Sequence, residues 1–184
     1  MDRGFDLYQR YLEGDEKALD DLIKIYRCSL TAFINGFVKD YNTAESIMID
    51  VFVELIRNKN FKGRSSLKTY LFTLGRNKAL RHIKYNRHDF ISIEDVENHI
   101  SGEELLLDKI VEEERRKMVH EAMSELKPIY REALYLIYFE EMSYNEASLI
   151  LHKSSKQIAN IIYRAKQSLK NHLDERMKYY EQNE

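Results

Sequence analysis

The chain has one cysteine, one proline and no tryptophan, and only six glycines in 184 residues. A lone Cys28 excludes an internal disulfide and argues against a cysteine-based metal cluster; its apolar-periodic neighbours predict a buried, inert thiol. Scarce Pro and Gly leave few helix breakers. With plentiful Leu, Ile, Lys and Glu, this predicts an all-helical protein, either one ordinary domain or two small ones. The opening residues hold no apolar h-region, and no run reaches the length of a membrane span. The expected location is a reducing cytoplasm. There is no Gly-rich phosphate loop and no H-E-x-x-H, and His82, His88, His152 and His172 lack metal-ligand spacing. Glu113-Glu114 and Glu140-Glu141 read as solvated helix faces rather than acid–base pairs. No enzymatic chemistry, metal or cofactor is expected.

What is present is charge in blocks. The net charge of −2 hides four windows. Met1–Glu54 sums to −5, Leu55–His88 to +10 with no acidic residue, Asp89–Glu114 to −9 and Arg115–Glu184 to +2. A +10 block is an electrostatic footprint for a polyanion. Phe61, Tyr70, Phe72, Tyr85 and Phe90 are interleaved with its cations. Aromatic faces stack on unpaired bases while cations follow phosphates, so the mixture suits separated strands as well as duplex. The competing reading is a solvated basic helix with its aromatics in the core.

Helical periodicity fills both ends. Asp15 is placed to cap a helix reaching about Val38, and Thr43 to cap the next. That second helix has an apolar stripe of Ala44, Ile47, Met48, Val51, Phe52, Leu55 and Ile56, with Glu45, Asp50 and Glu54 on its other face. A loop over 58–66 carries Gly63. Ser65 or Ser66 then caps a long helix whose Lys68, Arg76, Lys78, Arg81 and Lys84 are expected at solvent. The Asp89–Glu114 window reads as an acidic linker, the alternative being a short docking helix around Glu103–Ile110. Beyond it Val119, Ala122, Met123 and Leu126 repeat at helical spacing, and Pro128 suits the first turn of a new helix. Two capping boxes follow, Ser143 with Glu146 and Ser154 with Gln157. Two helices joined by the short turn Leu151–Lys153 make a helix-turn-helix, with Ala147, Ile150, Leu151, Ile158, Ile162 and Ala165 as its small core. From Ala147 to Leu173 there is no acidic residue.

Four stretches in order, Thr43–Ile56, Phe61–Phe72 with Arg76–Leu80, Leu126–Leu134 with Tyr138–Glu146, and Ile158–Leu169, resemble a bacterial sigma factor of the extracytoplasmic-function type. The resemblance spans Asp15–Leu173. It implies an all-α fold of two small domains: a region 2-like bundle over 1–88 and a region 4-like helix-turn-helix over 113–184, joined by an acidic linker over 89–112. It implies core RNA polymerase and promoter DNA as partners, and an anti-sigma factor is typical of the family. Polymerase contact falls to Glu45, Ile49, Asp50 and Glu54. The minus-ten element falls to Lys62, Gly63, Arg64, Ser65, Lys68, Tyr70, Arg76, Asn77, Lys78 and Arg81. The minus-thirty-five element falls to Lys153, Ser155, Lys156, Gln157, Asn160, Tyr163, Arg164 and Lys166. Asn160 and Gln157 suit adenine edges; Lys156 and Arg164 suit phosphate.

Several positions depart from the family pattern. Thr43 and Ser46 stand where acidic residues are usual, Ile49 where a polar one is, and Tyr70 where the family has Trp. His152 replaces the usual turn glycine. Ala159 and Ile161 replace polar residues, and an exposed Ile161 is expected to meet a thymine methyl or a protein. Two other functions stay open on the residues alone: a stand-alone helix-turn-helix regulator, and a sigma-like adaptor working through protein contacts.

Overall fold

A computed structural model describes residues 3–59, 61–86, 118–119 and 121–181. All of the regular structure among them is helical. The acidic linker expected over 89–112 lies outside the described residues.

The first helix, α1 (Arg3–Leu12), is one the periodicity argument did not extend to. Leu7 and Tyr8 bury one face of it. Gly4 lets it sit against α2 (Glu16–Val38), since a methyl there would collide with the Tyr26 hydroxyl. Asp15 occupies the N-cap position of α2, but its side chain makes no cap bond and pairs with Arg10 instead. Helix α3 (Tyr41–Asn58) starts three residues earlier than a Thr43 cap would place it. Its cap is Asp40, whose carboxylate accepts from the Thr43 N–H at 2.7 Å. A cap of this kind contributes about 1 kcal/mol. The predicted stripe of α3 is buried from Ala44 to Leu55. Helix α4 (Leu67–Tyr85) is capped by Ser66, whose hydroxyl accepts from the Thr69 N–H at 3.1 Å.

In the second half, Pro128 opens α5 (Pro128–Leu134), as its preset φ and missing N–H favour. The chain then widens into a π-helical turn over Tyr135–Phe139, which the periodicity did not predict. Helices α6 (Tyr144–Leu151) and α7 (Ser155–Glu181) follow with both expected capping boxes formed. The six residues expected in the small helix-turn-helix core are all buried. His152 takes the left-handed conformation at the turn, φ 52°.

The two halves share one continuous apolar core. Helix α6 packs on α4, and α5 meets α2. Cys28 is exposed, contrary to the expected burial, because it falls off the Leu22–Tyr26–Leu30 stripe of α2.

Candidate nucleic-acid interface

Three surfaces carry the expected site residues. On α3, Ile49 and Val53 stand one turn apart and are 54 % and 49 % exposed, with Asp50 exposed beside them. Glu45 pairs with Arg27 of α2 at 2.6 Å, and Glu54 with Lys78 of α4 at 2.8 Å. This is an apolar strip edged by carboxylates. Val53 was not among the expected contacts; its place four residues after Ile49 was the available signal.

The second surface is the loop and helix of the +10 block. Lys62, Gly63 and Arg64 are exposed, and Gly63 sits at φ 67°, a conformation glycine adopts without strain. Ser65 and Asn77 are half-buried, and Arg81 and Lys84 are exposed. Lys68, Arg76 and Lys78, however, are not free at solvent as expected. Lys68 reaches Glu140 at 2.8 Å and also donates to the Glu140 carbonyl at 2.7 Å. Arg76 donates to Glu132 at 2.8 Å, and Lys78 is held by Glu54. Glu140 is therefore buried and paired, not a solvated face. The hydroxyls of Ser66 and Thr69 donate to Glu146, at 3.0 and 3.3 Å. Burial pushes the Glu132 carboxyl above its ordinary range, and the Arg76 guanidinium only partly offsets this. Tyr70 turns its ring to Phe61, 5.2 Å away, rather than to open solvent.

Sequence reasoning missed the contacts that Glu132, Glu140, Glu146 and Tyr135 make with the first half of the chain. The Tyr135 ring stacks on Phe33 at 5.6 Å and its hydroxyl donates to the Ser29 carbonyl at 3.0 Å. No local pattern marks a contact spanning this much chain.

The third surface is the start of α7. Lys153, Gln157, Asn160 and Arg164 line a shallow cleft of about 260 Å³ with Tyr130 and Ile161. Lys156 is exposed, as is Tyr163. Lys166 lies 4.9 Å over the Tyr138 ring. Two expected minus-thirty-five contacts make internal bonds: Gln157 accepts from the Ser154 N–H at 2.8 Å, and Ser155 donates to Asn145 at 2.6 Å. Ile161 is half-buried against the core, not exposed. Asn160 is exposed in the same cleft.

Known proteins with the same two halves give this arrangement its meaning. The family model for sigma-70 region 2 matches residues 22–88, and that for sigma-70 region 4 matches residues 116–169. The chain belongs to the sigma-70 family. It is similar to the ECF RNA polymerase sigma factor SigM of Bacillus subtilis, 26 % identical over 152 residues, covering 83 % of this chain and 93 % of that one. It is also 26 % identical over 174 residues to the RNA polymerase sigma-H factor of Pseudomonas aeruginosa, covering 89 % and 90 %. Among solved structures, the sigma factor RpoE of Bartonella quintana, in complex with the anti-sigma factor NepR, superposes with a TM-score of 0.68. That match has 25 % identity and covers 86 % of this chain and 98 % of that one. CnrH, in complex with the cytosolic domain of CnrY, shares the fold with a TM-score of 0.66 at 22 % identity, over 94 % and 97 % of the two chains. The chain is thus an alternative sigma factor of the extracytoplasmic-function group, which binds core RNA polymerase for transcription initiation. Its region 4 contains the helix-turn-helix of α6 and α7. No described helix is long and apolar enough to cross a membrane.

Proposed function

We propose how this sigma factor divides its work among its residues. The Ile49–Val53 strip, with Asp50, Glu45 and Glu54, docks core polymerase. The exposed tip Lys62–Arg64, with Ser65, Tyr70, Asn77 and Arg81, captures the separated strand at the minus-ten element, and Lys68, Arg76 and Lys78 join once their internal partners release them. The cleft at the start of α7, with Lys156, Tyr163 and Lys166 at its flanks, reads the minus-thirty-five element. The observation that carries this is an exposed basic loop next to a firmly capped basic helix, in one chain with a helix-turn-helix. A duplex-only regulator needs the second and not the first. Residues 1–88 and 113–184 act as two units tethered through 89–112.

The chain works in the cytoplasm, where polymerase is, and performs no chemistry of its own. The solved RpoE, in complex with the anti-sigma factor NepR, supports an anti-sigma partner here.

Retention of purified bacterial core polymerase on the immobilised chain tests the reading. Stoichiometric capture, lost on Asp50→Arg, supports it. Salt-sensitive duplex binding without capture would return the stand-alone regulator.

A further inference from the structure

We propose that α1 is a positioning element for the strand-capture loop, acting through the ring of Phe61. The inference rests on the reading of Lys62–Ser65 as that loop.

Phe61 opens the loop and is half-buried. Three rings surround it. Phe5 meets it edge-on at 5.8 Å and 67°, Tyr8 at 6.0 Å and 76°, and Tyr70 of α4 at 5.2 Å and 51°. Two of these come from α1. Tyr8 is 1 % exposed. At the loop's far end Ser66 is held as the cap of α4. The exposed residues Lys62, Gly63 and Arg64 are therefore strung between two posts, one aromatic and one a helix cap. Two fixed ends only a few residues apart limit the conformations the tip must give up on binding a strand.

The ring of Tyr8, not its hydroxyl, is what the cluster uses. That hydroxyl is buried and has no hydrogen-bond partner among the described residues. Phe5 is 39 % exposed, at the edge of the central core, and its ring meets Phe61. Helix α1 also precedes residue 22, where the region 2 match begins. The family match therefore assigns it no role.

The test uses the full chain in holoenzyme with core polymerase, on genomic DNA of the source organism. Transcript 5′ ends locate the promoters, and permanganate reactivity of unpaired thymines reports opening. Phe5→Ala and Tyr8→Ala are expected to slow opening about two- to tenfold, the range of an edge-to-face ring pair. Polymerase affinity and duplex binding upstream are expected to stay unchanged, which a general folding defect would not allow. Tyr8→Phe is expected to open promoters at the parent rate. Parent-rate opening by Phe5→Ala, or a Tyr8→Phe as slow as Tyr8→Ala, overturns the proposal. A Lys62→Ala/Arg64→Ala variant separates the two layers. If it slows opening while Phe5→Ala does not, the positioning role alone fails. If it opens normally, the loop reading fails and takes the proposal with it.

Discussion

Arg76 of α4 and Glu132 of α5 are joined at 2.8 Å across 56 positions of sequence, with side chains only 12 % and 9 % exposed. One is a cation of the region 2 match; the other belongs to the region 4 match. Lys68 and Glu140 repeat the relationship at the same 2.8 Å. In this arrangement two cations of region 2, Lys68 and Arg76, are paired with carboxylates of region 4. A buried pair offsets its own desolvation only when geometry and further hydrogen bonds are good, so each partner depends strongly on the other.

That dependence is measurable. In urea unfolding, Arg76→Ala and Glu132→Ala are expected to show a coupling energy of about 0.5–3 kcal/mol in a double-mutant cycle. Strictly additive costs would mean that the two halves do not make this contact in solution.

The contact at Glu146 predicts a pH dependence. Burial pushes its carboxyl up, but bonds from the Ser143 N–H and the hydroxyls of Ser143, Ser66 and Thr69 outweigh burial, and its pKa falls below the ordinary 4.5. The unfolded chain then binds the proton more readily than the folded one, so stability rises with pH here. The contribution is complete above 4.5 and is lost as pH falls through the lower folded value. Unfolding midpoints measured across this window are expected to fall with acid, and less steeply in Glu146→Gln. Equal slopes would remove Glu146 as the cause.

His152 at φ 52° lacks the freedom of the glycine usual at this turn. His152→Gly is expected to stabilise the helix-turn-helix by about 0.5–1 kcal/mol, and His152→Val to destabilise it. Thermal unfolding decides, and a destabilised glycine variant would show that the His152 side chain makes a contact worth more than the backbone strain.

Exposed Ile49 and Val53 on α3 are expected to anchor polymerase. Each truncation to alanine should weaken core binding by about 1–2 kcal/mol, roughly five- to thirtyfold, with the fold intact. Parent-level affinity in Val53→Ala would confine the interface to the carboxylates.

Much of the architecture was legible because its signals are local. Pro128 at a helix start, two capping boxes, the stripe of α3 and the six-residue core of the helix-turn-helix all act within a turn or two of chain, where backbone geometry alone decides the outcome. The start of α3 lies three residues before the expected one because Asp40 and Thr43 both make good caps, and the choice turns on which side chain reaches the free N–H groups. The π-helical turn at Tyr135–Phe139 had no local signature. It places Tyr135 against Phe33 and Ser29, which are far away in sequence.

Residue order and composition therefore determined most of the helices, the charge blocks and the helix-turn-helix of this sigma factor. Tertiary structure alone decided which cations are free. Lys68, Arg76, Lys78, Arg81 and Lys84 look alike along the chain, yet three are paired and two are exposed. The difference comes from carboxylates that folding carries to them from other helices, and a charge is set by what surrounds it in space rather than by its neighbours in sequence.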